Sequence, residues 1–176
     1  MRRLPIGLMV LSAAGTLGAA ALAETKVKIE NVHLCCPACV KAVGTALKGV
    51  DGVKGACDRE EKTVTITAPD EAAAQKAVEA LAAAGFHGRP DTKAVHFPRD
   101  SGATQGKVAT LTVSGVHNCC RACCSAIKAT VKKVPGVTGD TAKPKGESCE
   151  VTGDFEATEL IRALHQAGFH VKVKKE

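Results

Sequence analysis

The chain contains no tryptophan and no tyrosine, and only four of its 176 residues are phenylalanine. Proteins that bind single-stranded nucleic acid stack successive bases on aromatic side chains along a basic groove, and this chain lacks the side chains for such stacking. Its net charge of +6 is modest, and the basic residues are scattered along the sequence. We therefore interpret the positive charge as a solvated surface and expect no nucleic-acid partner.

Long apolar runs are also scarce, and the most apolar one lies at the amino terminus. Residues 1–23 begin with two arginines after Met1, continue with an apolar stretch from Leu8 to Leu22, and end in a small-x-small pattern at Ala23. The stretch is interrupted by polar residues and glycines, and it is shorter than the roughly 20 residues of a membrane span. These features are typical of a secretory signal peptide. We expect cleavage, an exported chain in the periplasm or outside the cell, and no stable membrane insertion.

Cysteine is the residue that the chain has in excess, with nine copies, all after residue 23. In an exported protein such a count ordinarily indicates a disulfide framework. Here the count is odd, and six of the nine form adjacent pairs: Cys35-Cys36, Cys119-Cys120 and Cys123-Cys124. Adjacent cysteines rarely form unstrained disulfides with each other, because the bridge has a specific geometry. The clustering favours another use of the thiols, and a structural or interaction module linked by disulfides is kept as an alternative.

The sequence repeats itself once, which predicts a duplicated domain. Three motifs recur in the same order at nearly constant spacing: VHLCCPACV at 32–40 and VHNCCRACC at 116–124, KGVDGVKG at 48–55 and KKVPGVTG at 132–139, and AGFH at 84–87 and 167–170. Between the copies, a segment with proline, glycine, serine and threonine is typical of a linker. We therefore predict a first domain over residues 24–90, a linker over 91–106 and a second domain over 107–176.

Each copy predicts the element order strand-helix-strand-strand-helix-strand. In the first copy the predicted strands cover 26–31, 52–57, 63–67 and a stretch from Phe86, and the predicted helices begin at Pro37 and after the N-cap residue Asp70. In the second copy the same elements are predicted at 108–113, 123–134, 137–141, 148–152, 156–167 and 169–173. This order is that of an α+β ferredoxin-like fold with a four-stranded antiparallel sheet in each domain. It would bring His87 close to the first cysteine motif and His170 close to the second.

A Cys-x-x-Cys motif at a helix start, a following Gly-Val-x-Gly and a closing Ala-Gly-Phe resemble the heavy-metal-associated domain family, which includes copper chaperones and the periplasmic mercury-binding protein. The resemblance covers both copies. It implies that the metal ligands are Cys36 and Cys39 in the first copy and Cys120 and Cys123 in the second. The methionine that usually precedes the family motif is replaced by Leu34 and Asn118.

Two further pairs of residues are candidate metal ligands. Cys35 and Cys119 fill the variable position of the motif, and His33 and His117 lie three residues before its first ligand. Thiolates select soft ions, and a helix amino terminus lowers the pKa of a cysteine. Two thiolates suit Cu(I) or Hg(II), whereas three thiolates and an imidazole suit tetrahedral Zn(II). We favour Cu(I), with Zn(II) or Hg(II) as alternatives.

The remaining cysteines and histidines receive structural interpretations. We interpret Cys57 and Cys149 as small buried residues, and we expect Cys124, one position after Cys123, to point away from the metal. His96 in the linker and His165 on the second helix of its domain are assigned no role.

We therefore expect an exported, non-catalytic protein that captures, buffers or transfers a thiophilic cation, with a metal transporter or another metal-binding domain as its partner. The enzymatic alternative is a periplasmic thiol–disulfide oxidoreductase, since the Cys-Pro-Ala-Cys sequence at 36–39 resembles a redox motif. Against it, each copy is short for that fold, and Arg121 replaces Pro37 in the second copy. Replacing Cys36 and Cys39 is expected to remove one metal site and leave the other intact, although the sequence does not say whether both copies share one ion.

Overall fold

The computed structural model of the protein describes residues 24–174, so the predicted signal peptide at 1–23 lies outside the described residues. The strands and helices follow one another in the order β1 (Thr25–Glu30), α1 (Pro37–Lys48), β2 (Lys54–Asp58), β3 (Thr63–Ala68), α2 (Glu71–Ala83), β4 (Arg89–Pro90), β5 (Lys107–Ser114), α3 (Arg121–Val131), β6 (Val137–Asp140), β7 (Ser148–Glu156), α4 (Ala157–Gln166) and β8 (Lys172–Val173).

These elements form two units with the same topology. Strands β1 to β4 form an antiparallel sheet in the order β2-β3-β1-β4, and β5 to β8 form a second one in the order β6-β7-β5-β8. We call the first sheet with α1 and α2 the first unit, and the second sheet with α3 and α4 the second unit. The predicted α+β fold, two ferredoxin-like units in tandem, is confirmed.

The helices bury the faces that their periodicity predicts. On α2, Ala74, Ala77, Val78 and Leu81 are fully buried, because positions three and four apart lie on one side of a helix. This apolar face packs against β1 and β3. Between residues 24 and 174, no helix has the length and apolarity to cross a membrane.

Asp70 caps α2 as predicted, since its Oδ1 accepts a hydrogen bond from the N–H of Ala73 at 2.7 Å. We expect Asp70→Ala to lower the free energy of unfolding by about 1 kcal/mol, because an amide at the start of the helix loses its acceptor. Asp70→Asn keeps an acceptor oxygen and should lose much less. Urea denaturation of both variants measures the difference, and equal losses would contradict the role of the cap.

The last strand of each unit is shorter than predicted. Strands β4 and β8 contain two residues each, and neither includes the phenylalanine at which the sequence predicts its start. Instead, Phe86 and Phe169 pair with each other as an isolated antiparallel bridge between the units. Gly85 and Gly168 precede them in the left-handed region, with φ of +83° and +88°. This conformation ends α2 and α4 and turns the segment after each helix toward the opposite unit.

The two units dock through the repeated Ala-Gly-Phe-His motif. Phe86 stacks on His117 with ring centroids 4.3 Å apart, and Phe169 lies against His33 at the same distance. Each phenylalanine therefore packs on the histidine that precedes the cysteines of the other unit. The two copies of the repeat therefore form an approximately symmetric interface.

Close backbone contacts at the two glycines complete this interface. The N–H of His87 donates to the carbonyl of Gly168 at 3.1 Å, and the N–H of His170 donates to the carbonyl of Gly85 at 3.0 Å. A Cβ at Gly85 would lie 2.2 Å from the backbone nitrogen of His117, and one at Gly168 would lie 2.5 Å from another backbone nitrogen of the facing loop. Both positions therefore require glycine for the contact as well as for the turn.

The segment 91–106 contains no regular strand or helix, as its composition predicts, but it is packed against the units. Val95 and Phe97 are buried. The side chain of Gln75 accepts from the N–H of His96 at 2.9 Å and donates to its carbonyl at 3.0 Å. The segment is thus held in place at its middle.

Candidate metal centre

The first cysteine of each Cys-x-x-Cys motif is the N-cap of a helix. Cys36 precedes α1 and Cys120 precedes α3, both with an extended backbone, at φ of −150° and −152°. Helix α3 therefore begins at Arg121, two residues before the predicted start, and α1 begins at Pro37 as predicted. The unpaired N–H groups at a helix amino end carry partial positive charge, so both helices favour thiolates at their caps.

The two motifs meet, and their sulfurs form one group across the units. Five Sγ–Sγ contacts join different units: Cys35–Cys123 at 3.3 Å, Cys35–Cys120 at 3.5 Å, Cys36–Cys119 at 3.6 Å, Cys39–Cys119 at 3.7 Å and Cys39–Cys123 at 3.9 Å. Sulfurs of the same unit approach to 3.7–3.8 Å. All nine cysteines are free thiols. We call Cys35, Cys36, Cys39, Cys119, Cys120 and Cys123 the thiol cluster.

The cysteines at the variable position of each motif make most of the connections. Four of the five contacts between units involve Cys35 or Cys119. These two extra cysteines therefore reach across the interface, whereas the motif cysteines of each unit also contact each other. Because Cys35 and Cys119 each contact cysteines of the other unit, the six sulfurs form one continuous group.

The spacing of the sulfurs suits three or four thiolates around one ion. Two sulfurs at about 2.3 Å from a tetrahedral zinc ion lie about 3.8 Å apart, whereas two sulfurs on opposite sides of an ion at that bond length lie about 4.6 Å apart. The two sulfurs of the Cys-x-x-Cys motif lie 3.7 Å apart in the first unit and 3.8 Å apart in the second. The cluster therefore resembles shared, higher-coordinate binding more than two separate linear pairs.

Burial divides the cluster into an inner and an outer set. Cys39 and Cys123 are 0% exposed, on the inward faces of α1 and α3. The other four thiols, those of Cys35, Cys36, Cys119 and Cys120, are partly exposed. An incoming ligand can thus reach the outer thiols first.

Ionisation within the cluster is uneven. The pKa of Cys39 lies well below its ordinary value, chiefly because the thiol of Cys123 donates a hydrogen bond to its sulfur, with a further contribution from His117. The pKa of Cys123 is raised, chiefly because its proton is held in that same hydrogen bond. Burial raises the pKa of Cys35 to about 12, and the backbone N–H of Cys123 lowers the pKa of Cys120 to about 7. Six adjacent thiols cannot all ionise without a cation, so metal binding would release protons.

His33 and His117 flank the thiol cluster at equivalent positions. A ring nitrogen of His117 lies within 4.8 Å of the sulfurs of Cys39, Cys119 and Cys123, and one of His33 lies as close to two cluster sulfurs. The Nε2 atoms of both histidines are buried and have no hydrogen-bond partner among residues 24–174, although buried polar atoms are normally paired. Burial also lowers the pKa of His33, which favours the neutral ring that ligates metals. The group around His117 offers the three thiols and one imidazole that tetrahedral zinc accepts.

The residues that replace the family's methionine are buried beneath the motif loops. Leu34 is 4% exposed and Asn118 is 8% exposed. The Nδ2 of Asn118 donates to the carbonyl of Lys143 at 2.7 Å, which ties the second motif to the loop before β7. Both positions are therefore part of the buried interior, and the hydrogen bond of Asn118 anchors its loop.

His87 and His170 lie elsewhere, and the prediction that placed each beside the cysteine motif of its own unit is wrong. They meet His165 in a separate group, with the Nδ1 atoms of His87 and His170 3.2 Å apart. The cause is the pair of turns at Gly85 and Gly168, each of which directs the following residues toward the other unit. Burial lowers the pKa of His87 to about 3 and that of His170 to about 4, and neighbouring charged groups add to both shifts. We call His87, His165 and His170 the imidazole cluster.

The three other cysteines lie apart from the thiol cluster. Cys149 is 4% exposed, as its interpretation as a small buried residue predicts, and burial raises its pKa to about 11. Cys124 is also 4% exposed. Cys57 is only half-buried, because it lies on β2 at the edge of its sheet. Burial nevertheless raises its pKa.

Sequence reasoning missed the residues that bring the two motifs together. Phe86 and Phe169 hold the flanking histidines, and His165, which was assigned no role, belongs to the imidazole cluster. The signal was the repeated Ala-Gly-Phe-His at 84–87 and 167–170, which was interpreted as a repeat marker and a strand start. A glycine, an aromatic ring and a histidine kept together in both copies could also have indicated a contact surface.

The comparison with known protein families found a match in the second unit. Residues 110–170 match the family of the heavy-metal-associated domain. Among solved structures, oxidised MerP from Ralstonia metallidurans CH34 is 29% identical, with a TM-score of 0.35, and the alignment covers 38% of this chain and 96% of MerP. A structure described as "Crosstalk between Cu(I) and Zn(II) homeostasis" is 28% identical, with a TM-score of 0.34, covering 38% of this chain and 100% of the other.

A third solved structure aligns with both units. The N-terminal soluble domains of Bacillus subtilis CopA are 19% identical, with a TM-score of 0.32, and the alignment covers 86% of this chain and 94% of the other. The comparison with curated proteins found no match.

Proposed function

We propose that the protein captures, buffers or transfers a thiophilic cation through one site shared by both units, on the premise that residues 110–170 match the heavy-metal-associated domain family. The proposed ligands are the six thiols of the thiol cluster, with His33 and His117 beside them. The protein is proposed to act after export, and no catalytic step is assigned to it.

The observation that carries this proposal is the contact between the two cysteine motifs. The shortest sulfur contact of the cluster, 3.3 Å between Cys35 and Cys123, joins the first unit to the second. An ion bound at that point would take ligands from both units, because sulfurs of one unit lie no farther from the other unit than from each other. A metal site divided between two separate domains would lack these contacts.

Cu(I) is the proposed first choice of cargo. Soft thiolates select Cu(I), and the thiol cluster supplies six of them. Zn(II) has support of its own, because the group around His117 supplies three thiols and an imidazole. Hg(II) shares the preference for thiolates and is the third candidate.

The mixture of buried and exposed thiols supports a role in transfer. Cys39 and Cys123 are fully buried, whereas the four outer thiols are partly exposed. An incoming thiolate could replace the outer ligands one at a time while the inner ones still hold the ion. The proposed partner is therefore a metal transporter, or a second metal-binding domain, that presents accessible thiols.

Native mass spectrometry tests this function on the mature chain, reduced and free of oxygen, titrated in parallel with Cu(I), Zn(II) and Hg(II). We expect metal adducts that disappear after thiol alkylation, and competition between Cu(I) and Zn(II) should rank Cu(I) first. Absence of adducts, with mass deficits that indicate disulfides, would contradict the proposal and favour the structural alternative. Reductase activity above that of a free dithiol would favour the enzymatic one.

A further inference from the structure

The imidazole cluster joins both units outside the thiol cluster. His87 comes from the first unit, and His165 and His170 come from the second. One ring nitrogen of each residue lies within 4.8 Å of those of the other two. We propose that these three histidines form a second metal site, which takes a borderline divalent cation such as Zn(II), Cu(II) or Ni(II). This site goes beyond the proposed function and does not depend on the thiols.

The distances within the cluster match those of a metal site. The Nδ1 atoms of His87 and His170 are 3.2 Å apart. Two imidazole nitrogens at 2.0–2.1 Å from a tetrahedral zinc ion lie about 3.3 Å apart. Imidazole is a ligand that suits zinc, copper and nickel, so the cluster differs in preference from the softer thiols.

The hydrogen-bonding balance of the cluster also indicates a missing ligand. The Nε2 atoms of His165 and His170 are buried and have no hydrogen-bond partner among residues 24–174. The hydrogen bond between His87 and His170 uses the Nδ1 atom of each ring. It leaves the Nε2 atoms of His165 and His170 unpaired. Buried polar groups without a partner are rare and costly, and a cation bound by the Nδ1 atoms of His87 and His170 would provide one for the Nε2 atom of His165.

The cluster has an access route and room to adjust. His87 and His165 line a cleft of about 940 Å³, whose wall includes Phe97 at 4.5 Å from the His87 ring. The three rings lie nearly parallel, at 8–15° to one another, so they must rotate about the Cβ–Cγ bond to point at one ion. The open side of the cleft gives His87 and His165 the space for that rotation.

The cation-binding role is compatible with the charges around the cleft. Two of its three arginines are paired with acidic side chains, Arg89 with Glu30 and Arg162 with Glu159, and the third is Arg99. Their positive charge is therefore partly neutralised at the entrance. Because the ligands come from both units, a bound cation would also hold the units in the docked arrangement.

The test uses the full mature chain with all six residues of the thiol cluster replaced by serine, and Zn(II) as the probe. Circular dichroism first establishes that this variant is folded. We expect titration calorimetry to show one Zn(II) per chain. Adding His87→Gln should weaken binding by at least roughly 100-fold, since even partners outside the first ligand shell contribute about 10–100-fold.

His96→Gln is the matched control, because His96 lines the same cleft but is exposed and held only through its backbone. It should leave the Zn(II) affinity unchanged. Failure to bind Zn(II), unchanged affinity in His87→Gln, or an equal loss in His96→Gln would each overturn the proposal.

If the serine variant does not fold, X-ray absorption of the wild-type chain decides. Its thiols are first saturated with Cu(I), and one equivalent of Zn(II) is then added. Nitrogen neighbours of zinc at about 2.0–2.1 Å support the imidazole site, and sulfur neighbours at about 2.3 Å overturn it. Because the calorimetry uses a variant without the thiol cluster, its outcome is independent of whether that cluster binds metal.

Discussion

Replacing Cys36 and Cys39 by serine is expected to disrupt metal binding by the thiols of both units, and not by those of the first unit alone. The two replacements remove three of the five sulfur contacts between units, those of Cys36–Cys119, Cys39–Cys119 and Cys39–Cys123. The remaining thiols of the second unit would keep Cys35 as their one shared ligand from the first motif. We expect the affinity for Cu(I) to fall by at least roughly 100-fold, because even indirect partners of a metal contribute about 10–100-fold.

This expectation differs from the one that the sequence alone supports, in which the second unit keeps an intact site. Competition against a Cu(I) chelator measures the affinity, and native mass spectrometry measures the number of ions bound. Cys57→Ser is the control, since Cys57 is a thiol of the first unit outside the thiol cluster. A double variant that retains one ion with the wild-type affinity would show that the units bind metal separately.

Gly85→Ala is expected to separate the two units and to weaken thiol metal binding without unfolding either unit. The added Cβ would lie 2.2 Å from the nitrogen of His117 and 2.4 Å from the carbonyl oxygen of Gly115. Both are backbone atoms, so no side-chain rotation can relieve the overlap. We expect a larger radius of gyration by small-angle X-ray scattering and a Cu(I) affinity reduced at least tenfold, which corresponds to about 1.4 kcal/mol of lost interface.

Gly115→Ala controls for the backbone cost of this change. Gly115 has a similar left-handed φ of +76°, but a Cβ there would meet no atom within 4 Å. Both variants therefore have a similar backbone strain, because each places an alanine in the left-handed region. Only Gly85→Ala also disturbs the interface. If the two variants have the same dimensions and the same Cu(I) affinity, the docking contact does not control the thiol cluster.

The fold could be predicted because local signals agree along each copy. Apolar spacing places α2, Asp70 caps it, and Gly85 ends it, and each of these features depends on residues within a few positions. The start of α3 was placed two residues late, because Arg121 gives no such signal and Pro37 does in the first copy. Element boundaries depend on backbone geometry at one or two residues, which composition reflects poorly.

The docking of the units could not be predicted, because it depends on contacts between residues distant in sequence, from Phe86 and His117, 31 positions apart, to His33 and Phe169, 136 positions apart. The residues around Phe86 predict the start of a strand, and nothing in them indicates that Phe86 packs on His117. The same contact explains why the prediction for His87 is wrong, since the turn at Gly85 directs it to the other unit. Cys35 was recognised as a candidate ligand, but its reach to Cys123 follows only from the interface.

Joining the two copies in one chain has a physical consequence for such an interface. A linker of this length keeps both units at a high effective concentration, so a weak contact can be populated without large buried area. The burial of Val95 and Phe97 further restricts the segment between them. A shared metal would then add to a docking preference that the chain already has.

The most direct test of the shared site is to determine which cysteines hold the first ion. The mature chain is loaded with one equivalent of Cu(I) and alkylated briefly. In the mass spectrometer, intact protein that carries one Cu(I) is isolated and fragmented to locate the unmodified cysteines. A shared site predicts that each such molecule protects cysteines of both motifs, among them Cys39 and Cys123. Two populations, one protected only at 35–39 and the other only at 119–123, would contradict it.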